Sequence, residues 1–315
     1  MSKLLRQLLP FVSLIVIIVL LSILRPAAFL NGENFLNVLR RSSVNGIVAA
    51  GMTAVIISGG IDLSVGSMLA AAGMAGAWAM LQVGAVPLSP WAMVLGTAAG
   101  ILAGTACGLL NGTLIVKLKL PPFIVTLGTM SVFRGISYVM NKGQPYNVPG
   151  YSYLGVGHVL GVPVSILIFA VVVVLAAFIL RYTRLGRYTY AIGSNKEAAF
   201  HAGINVGRNL IAVYTLTGLV VGIAAMIATS RIVSAQPTAG IGLELDIIAA
   251  VIIGGASLSG GRGTILGTVI GTLLINFLRN GCTLLGISAE WQFVVIGAVI
   301  IAAVAVDQLA RARAE

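Results

Sequence analysis

Two eight-residue stretches carry the residue types most able to do chemistry in this chain. Gly59-Gly60-Ile61-Asp62-Leu63-Ser64-Val65-Gly66 and Gly254-Gly255-Ala256-Ser257-Leu258-Ser259-Gly260-Gly261 both fit G-G-x-[DS]-L-S-x-G, and each follows a run rich in Ile and Val. Glycine pairs let a helix break, and Asp62, Ser64, Ser257 and Ser259 are residue types that cap the helix that resumes. Paired glycine-interrupted segments at corresponding positions of two half-chains also point to a translocation path. Two readings therefore stand for these four residues: caps of two tight turns, which accounts for every residue type, or pore and gate residues that meet a passing solute. Asp62 has the stronger claim to a function, because a carboxylate between long apolar runs is costly without a defined partner.

Other chemistries lack their parts. Leu258-Ser259-Gly260-Gly261-Arg262 looks like the signature peptide of an ATP-binding cassette, and Gly255 and Gly260 have the separation of phosphate-loop glycines. Gly261-Arg262 nevertheless stands where Lys and Ser/Thr would be needed, and G-x-x-x-x-G-K-[ST] occurs nowhere in the chain, so no nucleotide site is expected. The two cysteines, Cys107 and Cys282, have no C-x-x-C spacing, and the two histidines, His158 and His201, offer almost no material for a metal centre. No nucleophile, base and orienting group come together in sequence, so neither catalytic residues nor a cofactor are expected.

The elements that would position these motifs are membrane spans. Of 315 residues 58% are hydrophobic and only 9% charged, against about 25% charged in ordinary domains. A mean hydropathy of +1.05 leaves too little polar surface to face water on all sides. Disorder, a disulfide scaffold and a nucleic-acid-binding domain are excluded together, although the net charge is +11. Runs with few or no charges mark the spans: 7 to 24, 42 to 61, two within 63 to 116 divided at Pro87 and Pro90, one near 120 to 140 opened by Pro121-Pro122 and carrying one charge, Arg134, then 163 to 180 and 209 to 230. Shorter runs follow at 247 to 261, 263 to 278 and 291 to 306, which brings the expectation to ten spans. The fold expected is all-α and polytopic, one transmembrane domain over residues 1 to 315 with an internal repeat.

Ten crossings from an inside N-terminus put twelve Lys and Arg inside and six outside, which favours both termini in the cytoplasm. Arg25, Arg40 and Arg41 run against that rule. Gly96, Gly100, Gly104, Gly108 and Gly112 recur every four residues, and Gly263, Gly267 and Gly271 repeat the spacing, so one face of each helix can approach a neighbour's backbone. Packing within the chain is the expectation.

The longest polar stretch runs from Arg181 to Arg208 and falls inside by the same charge count. Ser194 or Asn195 can cap a short alanine-rich helix through Phe200 or His201, with Glu197 in its first turn and Gly203 closing it. By itself such a helix is a docking element or a plain connector.

The stretch Gly186-Arg187-Tyr188 through Gly203-Ile204-Asn205-Val206 resembles the cytoplasmic coupling loop of the permease subunits of bacterial ATP-binding-cassette importers for ribose, xylose, arabinose and galactose. The likeness extends to Gly60-Ile61-Asp62-Leu63-Ser64-Val65-Gly66, Ser234-Ala235-Gln236-Pro237-Thr238-Ala239-Gly240 and Glu244-Leu245-Asp246, in order, and is nearest to the ribose permease type. It departs at Pro121-Pro122, where less proline is expected. The resemblance implies a pore of two permease copies in the lipid of the bacterial inner membrane. It also implies a separate cytoplasmic ATPase docking on residues 181 to 208 and a soluble periplasmic sugar-binding protein. Carried onto this chain, coupling falls to Gly186, Arg187, Gly193, Asn195, Glu197, Ala198, Ala199 and Gly203, with Ala198, Ala199 and Ala202 as a small-residue docking face. Gln236 becomes a candidate for the pore mouth, or belongs to an ordinary loop.

The rival reading is an ion-coupled secondary transporter of a small polar solute, which would place ionisable groups inside spans. The chain offers chiefly Asp62, Arg134, Glu244 and Asp246. The sugar itself is not legible. Topology makes the first prediction: in a background lacking Cys107 and Cys282, Ser152→Cys is labelled by an impermeant maleimide in intact cells and Ser194→Cys is not. Labelling of position 194 from outside overturns the orientation.

Overall fold

The computed structural model describes residues 3–83, 88–288, 290–299 and 301. Helix α1 (Lys3–Leu24) leads through the single turn α2 (Pro26–Phe29) into α3 (Gly32–Ile57). Asn31 starts α3 by accepting the Glu33 N–H at 2.9 Å, as an N-cap should. Helix α3 stops at Ile57 rather than at the expected residue 61, because the turn at Ser58-Gly59-Gly60, with Gly59 at φ +80°, takes the chain out of the helix. Helices α4 (Val65–Val83) and α5 (Pro90–Lys117) follow, the latter capped by Ser89 with Pro90 in its first turn. Helix α6 (Pro122–Val139) starts on the proline pair. The other expected divider, Pro87, lies outside the described residues.

After α6 the chain forms β1 (Tyr146–Asn147), the turn α7 (Tyr153–Val156) and the hairpin of β2 (His158–Val159) with β3 (Val162–Pro163). Helix α8 (Val164–Tyr182) then returns to two helices not long enough to span, α9 (Arg184–Ser194) and α10 (Lys196–His201). Helix α11 (Val206–Ile232) ends at β4 (Ser234–Ala235), which pairs antiparallel with β1 through Tyr146↔Ala235 and Asn147↔Ser234. The 146–153 and 234–238 segments therefore share one end of the bundle, and α9 and α10 lie at the other, one length of α8 away.

Helices α12 (Leu243–Ile253), α13 (Ile265–Leu284) and α14 (Glu290–Val299) complete the described chain. Among the described residues six helices, α4, α5, α6, α8, α11 and α13, are long and apolar enough to cross a membrane, where ten spans were expected; the first of those, 7 to 24, gives only the shorter apolar helix Phe11–Leu24. The shortfall has specific causes. Helix α12 has 11 residues, about 16 Å at 1.5 Å per residue, and it is stopped by Gly254-Gly255. Helix α3 is long enough, but Glu33, Arg40 and Arg41 occupy its first half. The end of the run 291 to 306, with Arg311 and Arg313, lies outside the described residues.

Helix α3 sits at the centre, where Ile47, Met52, Ile56 and Ile57 are inaccessible. It runs antiparallel to α13, tied by Asn45 Nδ2 donating to Asn276 Oδ1 at 3.2 Å and by the hydroxyls of Thr53 and Thr268 at 2.7 Å. Side-chain hydrogen bonds of this kind hold helices together where the solvent itself is apolar. Phe29, Phe35 and Phe277 close the outer end of this pair, with ring centroids 5.4 to 6.0 Å apart.

The glycine ladder of α5 does what its spacing implied, within the chain. Gly104, Gly108 and Gly112 lie against α11, whose own Gly218 and Gly222 face them, while Gly96 and Gly100 lie against α4 at Gly76 and Ala72. A Cβ on Gly108 would collide with the Tyr214 carbonyl oxygen, so backbone meets backbone along the seam. Gly267 and Gly271 likewise receive α12 at Gly254 and Ala250. Gly108→Val should cost about 1–3 kcal/mol of overpacking and lower the unfolding temperature in detergent, whereas Gly128→Val, which meets nothing within 4 Å, should not. Equal stability of the two variants would remove the seam from its structural role.

Candidate functional site

The first glycine motif builds a buried polar knot. Asp62 is fully buried, and Ser64 donates to its Oδ1 twice, from N–H at 2.8 Å and from Oγ at 2.6 Å. Asn111, from α5, donates to Asp62 Oδ2 at 3.3 Å and to Ser64 Oγ at 2.8 Å. The carboxylate thus has the defined partners its cost demands, and the Ser64 carbonyl starts α4 by accepting from Met68 N–H at 2.7 Å. The second motif behaves differently. Ser257 and Ser259 do not cap the helix that resumes: Thr264 does, its hydroxyl accepting from Gly267 N–H at 3.1 Å. The reason is the added Arg262-Gly263, which with Gly260 and Gly261 at positive φ delays the helix until Ile265. Ser257 is buried and its N–H is bonded to the Arg262 carbonyl at 3.0 Å, while Ser259 is exposed.

The two motifs, far apart in sequence, meet at the last turn of α9. Gly261 N–H donates to the Ile57 carbonyl at 2.8 Å, and Gly193 lies so close that a Cβ there would strike that same Ile57 oxygen. Tyr190, one turn earlier, donates its hydroxyl to the Gly263 carbonyl at 2.8 Å. Burial pushes the Tyr190 phenol above its ordinary pKa, so it keeps this proton at neutral pH. The end of α3 and the loop before α13 are thereby joined to α9 by backbone and one tyrosine.

The rest of the polar stretch is equally defined. Thr183 caps α9 by accepting from Gly186 N–H at 3.4 Å, Gly186 fits because its Cβ would collide with the Leu180 carbonyl, and Arg187 donates back to the Tyr182 carbonyl at 3.1 Å. Asn195 caps α10 through Ala198 N–H at 2.9 Å, and Gly203, at φ +81°, closes it. Glu197 and Ala198 are exposed. Ala199 is not part of an outward face with Ala198 and Ala202: it is 4% exposed and packs with Ile192 and Leu210 of the chain itself. Six residues make under two turns, so consecutive alanines point different ways. The outward anchor is Phe200, 67% exposed beside a hollow of about 350 Å³ bounded by Gly203, Ile204 and Val206. Its signal in the sequence was a lone aromatic among alanines.

At the opposite end lies a cavity of about 310 Å³ between α3, α4, α11 and the segment 234–243. Its polar lining includes Asn45, Thr229, Arg231, Ser234, Gln236 and Thr238. Gln236 lines this cavity and donates to Ser234 Oγ at 3.0 Å, which donates in turn to Asn147 Oδ1 at 2.9 Å. Asp62, Ser64, Ser257 and Ser259 do not line it. The segment is held in place by Arg134 of α6, whose Nη1 donates to the carbonyls of Pro237 and Ala239, both at 2.7 Å. It then crosses α4 glycine to glycine, Gly240 against Gly66, before α12 begins. Gathered polar side chains on a cavity at the lower edge of ligand-pocket volumes suit a small, oxygen-rich solute. Among the described residues no three His, Cys, Asp or Glu gather as a metal site.

Comparisons with known proteins agree with this arrangement of parts. Residues 34–304 match the model of the family described as branched-chain amino acid transport system / permease component. The chain is 48% identical over 305 residues to the ribose import permease protein of Bacillus subtilis, covering 95% of this chain and 92% of that one. It is 43% identical over 303 residues to the ribose import permease protein of Escherichia coli K12, covering 94% and 92%. With the D-allose transport system permease protein of the same strain it shares 39% identity over 303 residues, covering 95% and 90%. No solved structure matches the chain.

Removing the Arg134 hold tests how the cavity is built. Arg134→Met deletes two bonds from a charged donor, each worth about 1.5–3 kcal/mol, and should expose the 234–242 segment to added protease while Arg134→Lys does so less. Unchanged cleavage in both variants would show that the segment is held by other contacts.

Proposed function

The chain belongs to the branched-chain amino acid transport system / permease component family, and from that premise we propose that it carries ribose or a related pentose or hexose across the bacterial inner membrane. Its role is that of the permease subunit of an ATP-binding-cassette monosaccharide importer, a transport subunit and not an enzyme. Such a subunit works with an ATPase and a substrate-binding protein. The observation that carries the reading is the near full-length identity to permeases named for ribose and allose.

In this reading two copies of the chain form the pore, each a single transmembrane unit over residues 1 to 315 with both termini in the cytoplasm. The cavity at Gln236 opens toward the periplasmic binding protein, and the loop 181 to 208 receives the ATPase. Docking rests on α10, with Phe200 as the apolar anchor and Glu197 and Ala198 beside it. Asn195 and Gly203 fix the two ends of that helix. Force applied there passes through α9 at Gly193 and Tyr190 to the inner ends of α3 and α13. Asp62 and Ser64 act by fixing where α4 begins rather than by touching solute, and Ser257 and Ser259 shape the loop that meets α9. Ion coupling through Asp62 is unnecessary on this account, since its oxygens are already occupied by donors from Ser64 and Asn111.

The test is reconstitution of the permease with its ATPase and binding protein in vesicles, where sugar uptake should require ATP and not an ion gradient. Phe200→Ala should weaken co-purification of the ATPase roughly 30-fold, the effect of losing one interface anchor of about 2 kcal/mol. Ala199→Trp, by contrast, should lower permease yield itself, because the new ring strikes Ile192 and Leu210. Full assembly and uptake by Phe200→Ala would make the loop a plain connector.

A further inference from the structure

Arg231, on the last turn of α11, lines the 310 Å³ cavity, and among the described residues no hydrogen bond or ion pair reaches its guanidinium. The one salt bridge among those residues belongs to Arg279 and Asp246, on other helices. The charge that bears on Arg231 is another cation, Arg41, one turn before the cavity-lining Asn45 on α3. Position 231 is rigidly set from behind. Gly155 packs so tightly on the Arg231 backbone that a Cβ would collide with it, and Gly155 N–H donates to Ser230 Oγ at 3.0 Å.

A guanidinium within an apolar bundle is costly unless its donors are used. Among the described residues neither a carboxylate nor a carbonyl is bonded to it, and the second cation raises the cost. The planar fork of an arginine matches two neighbouring oxygens at once, and the same cavity is also lined by the amide residues Asn45 and Gln236. We infer that Arg231 is a solute-contacting residue, donating to a pair of adjacent oxygens on the transported molecule. That pair is a vicinal diol in a neutral sugar or a carboxylate in the corresponding sugar acid. The inference rests on the transport reading above and adds to it the group that meets the solute and the chemistry it selects. Solutes bearing an ammonium group are excluded by the same two cations.

The experiment uses the full-length permease in lipid nanodiscs. In a Cys107→Ala, Cys282→Ala background that keeps Arg231, Thr238→Cys on the cavity wall is treated with a small thiosulfonate reagent in the presence of excess ribose or excess ribonate, and the protection should be lost when Arg231→Met is added. Protection by ribose identifies the diol, and protection by ribonate alone identifies the carboxylate. Either supports the inference, and protection by neither overturns it. In the reconstituted complex, Arg231→Met should lower uptake of the protecting solute by at least about tenfold, the loss of one charge-assisted hydrogen bond. Arg231→Lys should recover part of that loss. Uptake by Arg231→Met equal to wild type overturns the inference even if the variant assembles normally. A wild-type complex that imports no monosaccharide is a failure of the transport reading instead. The protection assay needs no ATPase and decides the Arg231 contact separately.

Discussion

In an apolar solvent every stretch of backbone that leaves the helix must find its hydrogen-bond partners inside the protein, and three of the places where the described chain leaves the helix show how. The breaks are 58–64, 236–242 and 254–264. Each is answered by an identifiable group. Asp62 and Asn111 secure the first, the Arg134 guanidinium holds the second by two carbonyls, and Tyr190 with the Ile57 carbonyl closes the third. The polar residues inside this bundle are therefore mostly the fixtures of broken helices. The same fixtures decide where a cavity can exist.

Close approach is the complementary device. Glycines on α5 and α11 allow these helices to touch along their backbones, which gives up side-chain burial but lets van der Waals contact and short polar contacts hold them where lipid offers no hydrophobic drive. The same economy of size appears at Gly193, where the loop outside the bundle touches the ends of two internal elements at once. A single methyl group at that point would push α9 off the Ile57 carbonyl. Rigid contact there ties α9 to the end of α3 and to the loop that precedes α13.

The charges sort by the same logic. Asp246 and Arg279 form a bidentate pair at 2.8 and 2.9 Å that fastens the short α12 to α13, with Arg279 also stacked over Phe293 at 5.7 Å. Arg134 serves carbonyls. Arg231 is left over on the wall of the cavity.

Composition determined by itself that the chain lives in lipid, because 9% charged residues cannot clothe a water-facing surface. Spacing determined the glycine seam of α5, since a period of four on a helix marks one face whatever it packs against. Local chemistry narrowed the cap of α10 to Ser194 or Asn195, of which Asn195 serves, and determined the close at Gly203, since both involve neighbours within a few residues. The number of spans was beyond that reach: the charge-free runs 247 to 261 and 42 to 61 do not show that α12 stops after 11 residues or that α3 extends back through Glu33, Arg40 and Arg41. Which face of α10 looks outward was also hidden, because Ala198 and Ala199 differ only in whether Ile192 and Leu210 lie behind them. The roles of Asn111, Arg134, Tyr190 and Arg231 were decided by tertiary structure alone. Each acts on, or stands open toward, groups tens of residues away, and no local pattern records which distant carbonyl, carboxylate or cavity a side chain will reach once the helices have packed.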